Sequence, residues 1–170
     1  MPSSLQYIAD YYSQDVSGLQ VDDCFTDKYD FYQVIVKVTG RSVQTYDWLR
    51  LVDTSGNQIN QSEYAYTQID WSANNSGFNS AKSNSSTVIG NIGISGTDIA
   101  KGSKTIINFF QPYESSAYTM VEGKSVGWTG NGYGTQFMGV HKAAERTPGF
   151  YYLTGSGTYY RIQATVFGVK

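Results

Sequence analysis

An all-β domain is the expectation from this sequence: a β-sandwich of jelly-roll type, built from about eight or nine antiparallel strands behind an N-terminal arm. Three observations carry it. The 170 residues hold 15 Tyr, 8 Phe and 3 Trp, and aromatic and β-branched side chains suit the half-buried, pleated surface of a strand. The 18 Gly, together with Ser, Asn and Asp, cut the chain into short runs, because glycine reaches positive φ at no steric cost. The runs recur at intervals of about ten residues, the spacing of sandwiches and jelly-rolls.

Residues 1–22 depart from that rhythm. Leu5, Ile8 and Ala9 have helical spacing, and Tyr11, Tyr12 and Val16 follow, which fits one short amphipathic turn or an extended arm. Such an arm either straps the domain's own core or reaches a neighbouring subunit. In the second case Leu5, Tyr7, Ile8, Tyr11 and Tyr12 are the candidate subunit or capsid contacts. Residues 23–170 are then a single sandwich domain.

The first clear strand is FYQVIVKV, where Tyr32, Val34, Val36 and Val38 point one way and Gln33 and Lys37 the other, a period of two. YDWLRLVD repeats it, with Leu49 and Leu51 opposite Trp48 and Arg50. DTSGN at 53–57 carries hairpin chemistry, with Gly56 and Asn57 as the positive-φ residues. SEYAYTQIDW (62–71) is the expected return strand, with Tyr64 and Tyr66 set against Ala65, Thr67 and Ile69.

Ser72–Ser86 has little hydrophobic content and is expected to be a loop, long enough to be functional or mobile. STVIGNIGI, KTIINFFQ, SAYTMVEG, TQFMGVHK and GFYYLTG supply further short strands. Between them GKSVGWTGNGYGTQ (123–136) is expected as a mobile loop holding Trp128 and Tyr133. The last run, TYYRIQATVFGVK, alternates Tyr160, Ile162, Ala164 and Val166 against Arg161, Gln163 and Thr165, and belongs inside a sheet. No segment repeats another, which disfavours propellers and solenoids.

Composition narrows the function. Charged residues make up 15% of the chain and the formal net charge is −2, with no Lys/Arg cluster, so capture of nucleic acid is not expected. No apolar run approaches the ~20 residues of a membrane-spanning helix. The start MPSSLQYIADYY has neither a basic n-region nor a continuous apolar h-region, so cytoplasmic synthesis without processing is expected. The lone Cys24 has no disulfide partner within the chain and is expected as a small buried thiol.

Catalytic, metal and cofactor-binding residues are all expected to be absent. Asp22, Asp23, Asp27 and Asp30 are the densest acidic group, but they lack the glycine and closing glutamate of a Ca²⁺ loop. No pair of acidic residues is singled out as a glycosidase dyad. His141 has no identifiable acid/base partner and is expected as a surface or hydrogen-bonded structural histidine. Trp71, Trp128 and Tyr133 all adjoin Gly/Asn-rich turns. Exposed, they would form a sugar-stacking or partner-binding set; buried, they fill the core.

Four phrases, DDCFTDKYDFYQVIVKV, WLRLVDTSGNQINQSEYAY, IINFFQPYESSAYT and YYRIQATVFGVK, resemble a family of small β-rich structural proteins of tailed bacteriophages, frequent in marine and cyanobacterial phages. The matching positions are Phe25, Tyr29, Asp30, Tyr32, Leu49, Arg50, Leu51, Asp53, Ser55, Gly56, Pro112, Tyr113, Ser115, Ser116 and Tyr118. The resemblance implies a virion component, a head decoration (cement) protein or a tail- or fibre-associated one, made in the bacterial host's cytoplasm. It implies contacts with other virion proteins, a homo-oligomer with a trimer favoured, and no enzymatic activity or cofactor. The alternative is a module of a tail or fibre that binds a host-surface glycan or receptor. Residues 1–21 fall outside the resemblance.

Overall fold

The computed structural model describes residues 4–74 and 77–170. Twelve strands account for its regular structure: β1 (Leu5–Ser13), β2 (Gly18–Val21), β3 (Phe31–Val38), β4 (Thr45–Val52), β5 (Tyr64–Ser72), β6 (Asn79–Ser86), β7 (Ile89–Ser95), β8 (Ser103–Phe110), β9 (Tyr118–Trp128), β10 (Gly132–Ala144), β11 (Gly149–Thr154) and β12 (Ile162–Val169). They form two antiparallel sheets, an eight-stranded one in the order β1-β12-β3-β8-β9-β10-β5-β6 and a four-stranded one in the order β2-β11-β4-β7. The fold is an all-β sandwich, as the composition predicts.

The core lies between the sheets. Tyr32, Val34, Val36 and Val38 of β3, Ile107 and Phe109 of β8, and Ile162, Ala164 and Val166 of β12 are all buried. From the smaller sheet come Leu49 and Leu51 of β4, Phe150 and Tyr152 of β11, and Ile89 and Ile92 of β7. Phe25, in the β2–β3 connection, plugs one end, with its ring centroid 4.7 Å from Tyr32 and 4.8 Å from Phe109. Each such side chain contributes about 1.5–3 kcal/mol on burial, which is why no disulfide is needed.

A polar knot is buried with the apolar core. Arg41 and Asp47 are both fully buried and lie 2.6 Å apart. Arg41 also donates to Ser95 Oγ, the Thr45 carbonyl and Thr154 Oγ1, while Tyr159 and Tyr152 donate to the two Asp47 carboxylate oxygens. These bonds satisfy groups that burial would otherwise penalise heavily.

Several sequence expectations are corrected. Residues 5–13 are neither helical nor a free arm: β1 pairs with β12 along its length, and β2 joins the smaller sheet. A register shift between Tyr7 and Ala9 inserts one extra residue, so Ile8 and Tyr11 both pack against the core, and this bulge creates the helix-like spacing. The 53–57 turn is a tight hairpin-like turn with positive φ at Gly56 but not at Asn57. The strand that follows it does not return to β4; β5 crosses to the larger sheet, between β10 and β6.

The polar stretch 72–86 is largely strand, not loop. β6 takes Asn79–Ser86 and pairs with β5. As an edge strand exposed along most of its length, it needs backbone partners more than an apolar face. The role expected for this stretch falls partly on residues 75 and 76, which lie outside the described residues. Similarly, 123–136 is the body of a long β9–β10 hairpin, because glycines 123, 127, 132 and 134 sit within the ladder rather than ending it.

Candidate functional site: the outer face of the large sheet

Alternation along β8, β9, β10 and β5 decides what faces away from the core. The pairing registers align Ile106, Lys124, Gln136 and Ile69 in one cross-strand row, and Asn108, Glu122, Met138 and Thr67 in the next. A third row runs Lys104, Val126, Gly134, Trp71. Ile69, Ile106, Met120, Val126 and Met138 are all exposed, Val126 at 62% and Met138 at 55%. These large apolar side chains are spread over four adjacent strands and interleaved with Glu122, Lys124 and Gln136, an exposed face that suits a contact surface.

Polar groups are threaded through this patch. Gln33 donates to Asn108, and Asn108 donates to Glu122, at 3.1 and 3.2 Å. A depression of about 370 Å³ opens between Ile106 and Met138, bordered by Asn108, Glu122, Lys124 and Gln136. A second, of about 390 Å³, lies beside Trp128, over Val126, Lys37, Lys104 and Ile99. The face is apolar with amides, Glu122 and the lysines 37, 104 and 124, a composition suited to protein contacts.

The three aromatic residues singled out from the sequence come together at one end of β5, β9 and β10, but not on one surface. Trp71 and Trp128 face outward and are exposed. Gly132 pairs with Trp128 and Gly134 with Trp71, so β10 runs bare of side chains there. The indole of Trp71 lies on Gly134, where a β-carbon would stand 2.3 Å from Cε2. Tyr133 has the opposite parity and points inward, its hydroxyl buried without a hydrogen-bond partner, and burial raises its pKa. It sits near Tyr46 and so is not part of the outer set.

The N-terminal candidates divide in the same way. Leu5, Tyr7 and Tyr12 are exposed on β1, with Tyr7 edge-on to Phe167. Ile8 and Tyr11 are partly buried and pack against the chain's own core. Cys24 is buried, and burial pushes its thiol well above the ordinary range, so it is poorly placed as a nucleophile. Asp22, Asp23, Asp27 and Asp30 do not converge on one point. Among the described residues the group that does is Glu63, His141 and Glu145, and His141 is fully buried and hydrogen-bonded to Glu63, the second of the two placements expected for it. Sequence spacing gave no sign of it, since Glu63 and His141 are 78 residues apart.

No family model matches the chain, and no curated protein matches it in sequence at a significant level. Among solved structures, it aligns with the exo-inulinase of Aspergillus awamori at 10% identity and a TM-score of 0.39, covering 99% of this chain but 29% of the inulinase. It aligns with the marine PL-14 alginate lyase of Aplysia kurodai at 8% identity and a TM-score of 0.35, over 95% and 81% of the two chains. The VP2 subviral particle of infectious bursal disease virus aligns at 8% identity and a TM-score of 0.17, over 99% and 42%. Scores this low transfer neither an activity nor a partner.

Proposed function

We propose that this chain is a structural subunit of a tailed-bacteriophage virion, a capsid decoration protein that assembles through the outer face of its large sheet. The observation that carries the proposal is the exposed apolar band formed by Ile69, Ile106, Met120, Val126 and Met138. A face of that kind is stabilised when a neighbouring protein covers it, at about 25 cal/mol per Å² of apolar surface buried. Low net charge lets many copies sit close together, and weak contacts add up when repeated over a particle.

Topology supports the jelly-roll part of the proposal. With β5, β6, β9 and β10 set aside, the remaining order is β1-β12-β3-β8 over β2-β11-β4-β7, the order that two interleaved Greek keys produce. The added hairpins widen one sheet only, and that is the sheet whose outer face carries the apolar band. The expected partners are other copies of the chain, in a closed ring with a trimer favoured, and the major capsid or tail proteins.

The test is mass spectrometry of particles purified from a lysate that expresses this chain. Peptides in many copies per particle are expected, and a Val126→Glu/Met138→Glu double variant should remain in the soluble fraction. A chain abundant in the lysate but absent from purified particles would overturn the proposal.

One observation favours the glycan-binding alternative: Trp71 and Trp128 face the same side across a strand bared by Gly132 and Gly134. Two outward indoles, one resting on Gly134 and the other beside Gly132, suit the apolar face of a sugar ring. In that case Trp128→Ala should weaken glycan binding by roughly 1 kcal/mol, measured by calorimetry against a screened glycan. An absence of glycan affinity in the parent protein would remove the alternative.

A further inference from the structure

A second cluster lies away from the outer face, where β5 begins and β10 ends. His141 Nε2 stands 3.3 Å from Glu63 Oε2 and 3.6 Å from Glu145 Oε1, and the three atoms all lie within 4.8 Å of one another. We propose that Glu63, His141 and Glu145 bind a divalent transition-metal ion of the zinc type.

Geometry is the first support. A tetrahedral ion with bonds of about 2.0–2.1 Å holds its ligand atoms about 3.3–3.4 Å apart. Two of the three edges are already close to that spacing, and the third is set by glutamates whose side chains are 42% and 43% exposed and free to rotate. The imidazole is fixed: fully buried, tilted against the Tyr64 ring at 5.1 Å, and carried on a residue paired with Tyr64 across the β5–β10 ladder. The Lys142 amide donates to the Glu63 carbonyl at 2.9 Å, which holds the first carboxylate beside the strand end that supplies the second.

Electrostatics is the second support. The neighbouring cations are engaged elsewhere: Lys142 Nζ donates to the Asn84 carbonyl, Arg146 stacks over Tyr113, and Arg50 donates to the Thr87 carbonyl and Gln58. Among the described residues, no Lys or Arg forms an ion pair with Glu63 or Glu145. Ligation through Nε2 leaves the ring proton on Nδ1, which is buried without a hydrogen-bond partner, a cost that the metal bonds must exceed. Two carboxylates and one ring nitrogen thus converge on a point that no lysine or arginine among the described residues fills.

The donor set selects the ion. An imidazole with two carboxylates suits Zn²⁺ and its transition-metal neighbours, whereas Mg²⁺ and Ca²⁺ take oxygen ligands. The carboxylates open onto a cleft of about 510 Å³ bordered by Asp53, Asn57, Asn60 and Gln61, so a fourth position stays accessible to water or to a partner's side chain. The bound ion would tie the β4–β5 connection to the β10–β11 connection and stiffen that end of the sandwich.

The experiment is zinc titration of the full chain by calorimetry, with thermal unfolding alongside and Mg²⁺ as the control ion. Saturable binding of one Zn²⁺ per chain is expected, with a rise in melting temperature that Mg²⁺ does not reproduce. Both glutamates lie at the surface, so Glu63→Gln/Glu145→Gln should fold, and far-ultraviolet circular dichroism checks this. That variant should lose at least about tenfold in zinc affinity. Co²⁺ should give visible absorption typical of tetrahedral coordination in the parent and not in the variant. A parent that shows no saturable zinc heat, or a folded variant that binds zinc as tightly as the parent, would overturn the proposal.

Discussion

Replacing Arg41 by Met keeps much of the apolar stem and removes the guanidinium, whose Cζ lies 5.1 Å from the centre of the Tyr159 ring. The carboxylate of Asp47 then remains fully buried with the hydroxyls of Tyr152 and Tyr159 but without a counter-charge. Ser95, Thr154 and the Thr45 carbonyl also lose their donor. Breaking a buried pair on one side costs about 3–5 kcal/mol. For a domain of this size each kcal/mol shifts the melting temperature by about 2–4 °C, so a fall of roughly 6–20 °C is expected.

Two further readouts separate a buried charge from simple loss of packing. Burial already pushes the Asp47 carboxyl up, against the opposing pull of Arg41 and the two tyrosine hydroxyls. Without Arg41 that upward push strengthens. A carboxyl whose folded pKa exceeds its unfolded value stabilises the folded state below the unfolded pKa and loses that contribution as pH rises through the folded one. The deficit of Arg41→Met should therefore shrink on acidification. Asp47→Asn added to Arg41→Met should recover at least about 1 kcal/mol, because it removes the unpaired charge and keeps a hydrogen-bonding side chain. Urea unfolding gives the free energies, and an unchanged m-value shows that the unfolded state is the same. A single variant within about 1 kcal/mol of the parent, or a double variant no better than the single, would refute this reasoning.

Gly134→Ala should displace the Trp71 indole, because the new β-carbon meets it at 2.3 Å; near-ultraviolet circular dichroism should change while the far-ultraviolet spectrum stays the same. The Asp53 carboxylate accepts the Asn57 and Ser55 amides at 2.9 and 2.8 Å, and the Asn57 amide above all holds its pKa below the usual range. A lowered folded pKa gives stability that is present above the unfolded value of about 3.9 and lost as pH falls through the folded one. Asp53→Ala should therefore cost less than about 1 kcal/mol at neutral pH, and its gap from the parent should close below about pH 4 in acid titrations followed by circular dichroism.

The strands visible in the sequence are those with one apolar and one polar face. In β3 and β12 the residues that alternate in the sequence are the ones buried in the structure. β5 was legible as an alternating strand, with Tyr64 on one face and Thr67 and Ile69 on the other, but its second half has inverted polarity: Gln68 and Asp70 are buried and Ile69 and Trp71 are exposed. Asp70 tolerates this by accepting bonds from Gln68 and Thr135, which no hydropathy pattern reveals. β6 has almost no apolar residues to signal a strand, and in β1 the extra residue at the bulge imitates helical spacing.

The outer tryptophans were legible from their glycine neighbours, whereas the inward turn of Tyr133 was not, because it depends on register. The apolar band on the outer face was not legible either. Adjacent residues such as Ile106 and Ile107 have the same hydropathy, and only the pairing register assigns one to the core and the other to the surface. The cluster at His141 needs contacts between strand ends far apart in sequence, which spacing alone cannot supply.

If the outer face of the large sheet is an assembly surface, self-association depends on its exposed apolar side chains. Light scattering at two concentrations, on the parent and on Val126→Glu/Met138→Glu, tests it most directly. The parent should have a mass that is a fixed multiple of the 18.8 kDa chain, and a folded double variant the single-chain mass. A parent that stays at the single-chain mass at both concentrations, or a variant that keeps the parent's mass, would contradict it.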